Sequence, residues 1–543
     1  MRPVSTDAEH AQGEHEHFFG AAKVVAGLTM CSRVLGLLRD MVLVPLGGPL
    51  AADAFWIAFS VPHLFRRLFG EGALSAAFIP VFTESAEARG WDRARLVLAN
   101  TAGLLALVLT VMIALIELGL LAWLLGAPGA WDRQLTIQLT MVLLPFTLFI
   151  CLLALCSAAL NSRGHFVYPA AAPALLNVGL IAVGWSITWM DRWTDVQQFY
   201  ILSVTLVACS VGQLAGAIWL IRRMKLSARW TLRPVLPEIR SIAARMAPTV
   251  VPLGLMQVCD LLARLIAKGL TATPEHPDLP LLPGVVRCHY AAGRLYQLPM
   301  GVMGISLATV VFPLLSRCAA RADRAGLRAV LNRALRLCFF LGIPSAAGLI
   351  LLADPIFGVI FEHREFTAAD TARAAGMLRM YSLGMPAYFC VHILLRAFFA
   401  RKDTRTPMIT SSVLAVVNVG LVTAGIFTPL RSAALGLATA VASSINALVL
   451  GWVLHRQVGR LGWRSLLRST LRTLGATAIM AAAVAGAQWG LGAAGARRLV
   501  ILVASVAVGA AAFLAAARLL RCGELRELIR RREKSADDSG TMV

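Results

Sequence analysis

Long apolar runs separated by short polar segments recur along the chain. A helix needs roughly 20 mostly apolar residues to cross the hydrocarbon core of a bilayer, and on that rule the pattern predicts fourteen membrane-spanning helices. Their ranges are 20–46, 51–83, 96–126, 134–160, 168–190, 197–221, 240–270, 285–316, 327–353, 371–400, 407–428, 432–455, 466–489 and 497–520. Several are longer than a straight span requires, which indicates tilt or a break. We expect breaks at Pro62 and Gly70 in the second span, and at Pro299, Gly301 and Gly304 in the eighth.

The composition agrees with a polytopic all-α membrane protein. Hydrophobic residues make up 58% of the chain and charged residues 15%, against roughly 45–50% and about 25% in soluble domains. The net charge of +22 does not indicate a nucleic-acid partner, because the basic residues lie at the ends of apolar runs and not in one patch. The ten cysteines form no CxxC pair, so we predict neither disulfides nor a metal site.

Charges in the loops predict the orientation. Loops that follow even-numbered spans are basic, with Arg89, Arg93, Arg95, Arg222, Arg223, Lys225, Arg317, Arg321, Arg401, Lys402, Arg456 and Arg460. Loops that follow odd-numbered spans are poor in Lys and Arg, as in 271–284. By the positive-inside rule both termini are cytoplasmic. We therefore expect a disordered cytoplasmic tail at 1–17 and a basic one at 523–543, and we interpret the run 20–46 as a span because it is too long for a cleavable signal.

An internal duplication is indicated by three pairs of landmarks at similar separations. The separations are 238 residues for Arg163 and Arg401, 241 for Asn177 and Asn418, and 233 for Pro80 and Pro313. The alternative is that basic loops before a proline resemble one another locally. A duplication of six spans predicts two parallel six-helix lobes, 18–230 and 231–460, around a central cavity. The last two spans, within 461–522, fall outside the duplication.

Ionisable residues occur inside the predicted spans, where each costs about 2.5–3.5 kcal/mol on insertion scales. The cations are Arg33, Arg39, Arg66, Arg67, Arg264, Lys268 and Arg294, and the anions are Asp40, Asp53, Glu71 and Asp260. The excess of three positive charges favours an anionic ligand, and guanidinium groups suit phosphate oxygens. The alternative, that the cations extend to the membrane surface or join helices, is strongest for Lys268 and for Arg67, which could pair with Glu71.

Three segments resemble a known family. They are Ser32–Asp40 (SRVLGLLRD), Asp53-Ala-Phe, and Pro62–Pro80 (PHLFRRLFGEGALSAAFIP). They are similar to the signature of the bacterial lipid II flippases, the MurJ (MviN) family, whose superfamily also holds MATE exporters and polysaccharide flippases. The resemblance implies a MATE-like fold and export of an undecaprenyl-pyrophosphate-linked saccharide-peptide across the cytoplasmic (inner) membrane for peptidoglycan synthesis.

The resemblance also implies roles for particular residues. Arg33, Arg39, Arg66 and Arg294 match the family's cavity arginines and are the expected substrate-binding residues; Asp40, Asp53, Glu71 and Arg264 are the expected supporting polar residues. Residues 461–522 would form a groove for the lipid tail. Family members often carry acidic residues where this chain has Gly293, Gln297 and Ala263. With Asp260 one turn before Arg264, coupling to a cation through Asp260 stays open.

The transport mechanism is expected to be secondary. The chain contains no GxxxxGK[ST] phosphate loop, so we expect no enzymatic ATP hydrolysis and no cofactor, and transport would be driven by membrane potential or a monovalent cation. Expected partners are the lipid-linked precursor, membrane lipid and other cell-wall synthesis proteins. Three alternatives stay open: a flippase for another polyprenyl-linked glycan, a MATE-like cation-coupled drug exporter, and a membrane protein that transports nothing.

Overall fold

The computed structural model describes residues 24–25, 27–70, 73–126, 129–190, 192–228 and 236–527. The helices are α1 (27–43), α2 (Pro49–Phe65), α3 (Ala73–Gly126), α4 (Trp131–Ser162), α5 (Val167–Met190), α6 (Asp195–Arg223), α7 (Pro237–Gly269), α8 (Val285–Pro299), α9 (Ile305–Ala320), α10 (Arg324–Ile360), α11 (Ala368–Leu383), α12 (Met385–Ala400), α13 (Arg405–Ile426), α14 (Ala434–Val458), α15 (Trp463–Ala493) and α16 (Arg498–Leu519). Within these ranges the only β pairing is a bridge between Thr271 and Leu281. The predicted all-α class is confirmed; Glu71, the tail 1–17 and residues 528–543 lie outside the described residues.

The chain is a multi-pass membrane protein. Ten helical segments of the described residues are long and apolar enough to cross a bilayer, with α8, its π-turn and α9 counted as one, or eleven if α11 and α12, which are bent by 46° at their junction, form one span. Helix α2 has 17 residues and ends where a π-helical turn begins, so the predicted second span 51–83 is not one straight helix. The count of fourteen stays a prediction.

The predicted breaks at proline are confirmed as π-helical turns. One turn, Arg66–Gly70, begins four residues after Pro62, and the other, Met300–Gly304, directly follows Pro299. Proline supplies no backbone N–H and its ring clashes with the carbonyl four residues earlier, so regular α-helical bonding is interrupted at both places. Because Arg66 is the first residue of a π-turn, the break also sets the direction of a predicted site residue.

Local structure at equivalent loops supports the duplication. At the end of α4, the Leu160 carbonyl accepts two backbone hydrogen bonds of 3.1 and 3.0 Å, and Gly164 has a φ of 75°. At the end of α12, the Phe398 carbonyl accepts two bonds of 3.0 Å, and Lys402 has a φ of 62°. Both pairs of positions are 238 residues apart, and the two π-turns begin 234 residues apart. The same type of ending, an i+5 backbone bond with a residue at positive φ, also closes α6 and α16, so it is the match in position and not the ending itself that agrees with the duplication.

The described residues form two compact units, which divide between Leu261 and Leu262 inside α7. In the first unit, α2 packs on α4 and α6, and the buried ring of Phe55 stacks on Phe199 with centroids 5.0 Å apart. Also in this unit, Arg93 donates to both carboxylate oxygens of Glu238 at 2.9 and 2.8 Å, and this bond lowers the pKa of the Glu238 carboxyl. The lobe limits 18–230 and 231–460 stay predictions.

In the second unit, α15 and α16 pack on each other and on α10. The buried carboxylate of Glu524 accepts hydrogen bonds from Arg336 Nε of α10 at 2.6 Å and from Ser469 Oγ of α15 at 2.7 Å. At the opposite end of α10, Arg498 of α16 pairs with Glu362 at 2.6 Å. The two helices outside the duplication are therefore held at two levels, by Glu524 between α10 and α15 and by Arg498 on the segment that follows α10.

Close helix packing in the second unit depends on small residues. A Cβ added at Gly436 of α14 would lie 2.5 Å from the backbone oxygen of Met377 in α11. On the same helix, a Cβ added at Gly451 would meet nothing within 4 Å. The two glycines therefore offer a test of the packing of α14 on α11 within one helix.

We expect Gly436→Ala to lower the free energy of unfolding by about 1–3 kcal/mol, because α14 must move away from the Met377 carbonyl. Gly451→Ala is the matched control and should keep or raise stability, since alanine favours a helix over glycine by roughly 0.8–1 kcal/mol. The measurement is the midpoint of thermal unfolding of the purified chain in detergent. Equal midpoints for the two variants would contradict this packing.

Candidate substrate-binding site

The two arginines predicted on α1, Arg33 and Arg39, lie in different environments. Arg39 is buried, and Asp40 Oδ1 accepts hydrogen bonds from its Nη2 at 2.6 Å and its Nε at 3.0 Å. Arg33 is exposed and makes no hydrogen bond or ion pair with any part of the chain that the structure describes. The positive charge on α1 that a ligand could reach is therefore that of Arg33, whereas the charge of Arg39 is balanced by its neighbour.

Asn177 of α5 fastens α1 to α5 through Arg39. Its side-chain oxygen accepts from Arg39 Nη1 at 3.1 Å, and its amide nitrogen donates to the carbonyl of Ser32 at 3.1 Å. A Cβ added at Gly36 would lie 3.7 Å from that amide nitrogen, so the glycine gives the amide room beside α1. Arg39 thus has a structural role, and its substrate-binding role stays a prediction.

The π-turn that follows α2 carries Arg66 and Arg67. Arg66 is half-buried. The carbonyl oxygen of the residue before it, Phe65, lies 3.9 Å from Cys151 Sγ of α4. Arg67 is exposed and donates to Gln257 Oε1 of α7 at 3.0 Å. Its predicted partner Glu71 lies outside the described residues, so that pairing is untested. The contact with Gln257 fits the alternative in which Arg67 joins two helices.

Besides Asp40, the predicted supporting and coupling residues that the structure describes lie on two helices. Asp53 of α2 is completely buried. In α7, Asp260, Arg264 and Lys268 are half-buried and follow one another at intervals of four residues, so they share one side of the helix. No group of three or more His, Cys, Asp or Glu side chains in the described ranges is arranged to hold a metal ion. Coupling of a monovalent cation to Asp260 stays a prediction.

Arg294 of α8, in the second unit, is bound by a tyrosine of its own helix. The hydroxyl oxygen of Tyr290 accepts from Arg294 Nε at 3.0 Å and from Nη2 at 2.8 Å. The guanidinium carbon lies 5.0 Å from the centre of the Tyr290 ring. This partner was not predicted from the sequence, although the spacing of four residues on a predicted helix was a signal for it.

The partners of Arg39 and Arg67 could not have been predicted from the spacing of residues along one helix. Asn177 is 138 residues from Arg39, and Gln257 is 190 residues from Arg67. Of the four predicted substrate-binding residues, the structure brings Arg33, Arg39 and Arg66 into the first unit and Arg294 into the second.

Comparison with protein families gives a match over most of the chain. The family model for the lipid II flippase MurJ matches residues 44–494, a range that includes Asp53, Arg66, Asp260 and Arg294 and begins after Arg33 and Arg39. The probable lipid II flippase MurJ of Rhizobium tropici is 32% identical over 465 residues, which are 84% of each protein. The lipid II flippase MurJ of Burkholderia cenocepacia is 29% identical and covers 80% of this chain and 83% of its own.

Solved structures of similar fold include two transporter classes. A lipid II flippase MurJ in an inward closed conformation is 25% identical with a TM-score of 0.73, and the match covers 93% of this chain and 99% of that one. A MATE-family multidrug resistance transporter in an inward-facing conformation is 18% identical with a TM-score of 0.64, over 80% and 98% of the two chains, and shows the fold alone. Both the sequence matches and the fold therefore place this chain in the lipid II flippase MurJ family.

Proposed function

We propose that the chain moves lipid II, the undecaprenyl-pyrophosphate-linked peptidoglycan precursor, from the inner to the outer leaflet of the bacterial cytoplasmic membrane. The observation that carries the proposal is the family match over residues 44–494, together with curated relatives that bear the same activity in their names over 84% of their length. The chain would be inserted with both termini in the cytoplasm, as the basic loops after even-numbered spans favour.

The charges that the chain offers suit a diphosphate. Arg33 is exposed on α1, Arg66 is half-buried in the π-turn, and Arg294 is held by an uncharged phenol. Guanidinium groups bind phosphate oxygens through paired, charge-assisted hydrogen bonds. A diphosphate would meet the positive charge that the spans carry in excess, while the saccharide and peptide would be contacted by other groups.

The proposed cycle is alternating access without ATP hydrolysis by the chain. The arginines would bind the diphosphate while the lipid tail stays in the membrane beside α15 and α16, and rocking of the two lobes would carry the headgroup across. Return of the empty, positively charged site would be driven by membrane potential, which is worth about 2.3 kcal/mol per charge per 100 mV. Coupling of a monovalent cation through Asp260 is the other source of energy that we consider.

A flippase for another polyprenyl-linked glycan is the second candidate. It is favoured by the same arginines, because they would recognise the diphosphate and not the sugar. A MATE-like exporter of cationic drugs is less well supported, because a site rich in arginine repels cations and the likeness to MATE structures concerns the fold alone.

Replacement of Arg66 tests the proposed diphosphate ligands. Arg66→Ala should lower translocation of lipid II by about tenfold to a hundredfold, since hydrogen bonds to charged groups are worth roughly 1.5–3 kcal/mol. The matched control is Arg67→Ala, because the adjacent arginine bonds Gln257 and should lose little activity. The measurement is translocation by purified chain in vesicles. Normal translocation by a well-folded Arg66→Ala variant would refute its assigned role.

Depletion of the chain in its host tests the substrate. We expect lipid II to accumulate on the cytoplasmic leaflet, because its synthesis continues while its exit is blocked. The lipid-linked precursors are extracted and identified by mass spectrometry, and their leaflet is assigned by a membrane-impermeant label. Accumulation of a different polyprenyl-linked glycan, with lipid II unchanged, would favour the second candidate.

A further inference from the structure

The second half of α12 carries two ionisable residues on the side that is not buried. The buried residues of this half lie on one side of the helix and are Cys390, Ile393, Leu394, Ala397 and Phe398. At 100° per residue, His392, Arg396 and Phe399 share the other side, where His392 and Arg396 are half-buried and Phe399 is exposed. Arg396 lies inside the predicted span 371–400 but is not one of the seven cations that were predicted to serve the site.

An aromatic ring of α9 holds the Arg396 guanidinium. The guanidinium carbon lies 5.4 Å from the centre of the Phe312 ring, within the roughly 6 Å over which a cation is attracted to a ring face. Arg396 makes no hydrogen bond and no ion pair with the residues that the structure describes. A ring face attracts the charge of the guanidinium but takes up none of its N–H donors, so these donors are available to a ligand.

Other arginines of the second unit are paired with carboxylates. Arg287 of α8 is completely buried and donates to Asp370 Oδ2 at 3.0 Å, and Arg336 of α10 donates to Glu524 Oε1 at 2.6 Å. Ionisable residues inside spans normally face a partner, the interior of the bundle or a water-filled cavity. Because the described residues give Arg396 no carboxylate, the partner that suits it is an anion that the chain does not supply there.

The level of Arg396 along the membrane differs from that of the diphosphate ligand proposed in the same unit. Phe312 is 18 residues after Arg294 in the helical segment Val285–Ala320, which is about 27 Å at 1.5 Å per residue. A diphosphate is much shorter than this distance, whereas a peptide extends by up to about 3.3–3.6 Å per residue and carries carboxylates. In the predicted orientation α9 and α12 end in the cytoplasm, where the saccharide and peptide of the substrate lie before transport.

We propose that Arg396, together with His392, binds a carboxylate of the peptide that the substrate carries. The inference rests on the proposed function, in which the substrate is lipid II. Two N–H groups of the guanidinium would donate to the two carboxylate oxygens, and His392, four residues earlier on the same side of α12, offers an imidazole N–H. The arginines for the diphosphate recognise any polyprenyl diphosphate, whereas this site selects lipid II over a glycan without a peptide.

Replacement of Arg396 tests the site in full-length chain held in nanodiscs of phosphatidylcholine. Arg396→Gln should bind lipid II about tenfold more weakly than the unmodified chain, the effect of losing hydrogen bonds to a charged group. The same variant should bind an undecaprenyl-diphosphate-linked disaccharide without peptide as tightly as the unmodified chain does. An equal loss for both ligands, or no loss for lipid II, would overturn the proposal. The same holds for a loss that appears only with phosphatidylglycerol present, since Arg396 would then serve a phospholipid headgroup.

The matched control is Arg456→Gln. Arg456 of α14 also lies over an aromatic ring, 5.0 Å from the centre of the Trp452 ring, but both side chains are exposed near the end of their helix. Arg456→Gln should therefore bind lipid II normally. Equal weakening by Arg396→Gln and Arg456→Gln would contradict the proposal, because the loss of any cation near a helix end would then have the same effect.

A change in the ligand tests the same contact without a variant. Lipid II whose peptide carboxylates are converted to amides should bind the unmodified chain about tenfold more weakly, because an amide offers the guanidinium no anion. Arg396→Gln should not distinguish the two forms. Equal affinity of the unmodified chain for both forms would overturn the proposal. Failure of the unmodified chain to bind or translocate lipid II would instead refute the proposed function.

Discussion

The cost of holding cationic side chains within a membrane is the constraint on which this molecule depends. Each guanidinium needs hydrogen-bond acceptors there, because lipid supplies none. The chain meets that need with three kinds of acceptor: a carboxylate and an amide for Arg39, an amide for Arg67, and a phenol for Arg294. Amide and phenol oxygens are uncharged acceptors, whereas a carboxylate also balances the charge of the guanidinium. A diphosphate, which the proposed function brings to the arginines, would be an acceptor of the charged kind.

Much of the fold could be predicted because its signals are local in sequence. Apolar runs predicted the helices, and proline predicted the breaks, which the structure has as π-turns at Arg66–Gly70 and Met300–Gly304. The π-turn after Pro62 also explains why α2 stops at 17 residues, so the run 51–83, which reads as one apolar stretch, is two helical pieces. A hydropathy pattern detects the apolar run, but it does not show where the helix within that run is interrupted.

The candidate site was predictable only in its charges. Arginines inside apolar runs are visible in any sequence. Their partners Asn177 and Gln257 come from other helices and were not predictable, because neither pairing follows from the period of a single helix. Tyr290 was predictable from the helical period, because it lies four residues before Arg294 on the same helix. Its hydroxyl is neutral, so opposite charge gives no signal for the pairing, whereas hydrogen-bond capacity at a spacing of four residues does.

The two halves share a scaffold more closely than they share chemistry. The helix endings after α4 and α12 repeat with the same hydrogen bonds at the same separation, which is what a duplicated backbone requires. The paired asparagines differ: Asn177 joins Arg39 to α1, whereas the side-chain oxygen of Asn418 is buried and has no hydrogen-bond partner in the described part of the chain. Buried arginines, by contrast, are handled alike in the two halves, since Arg39 is paired with Asp40 in the first and Arg287 with Asp370 in the second.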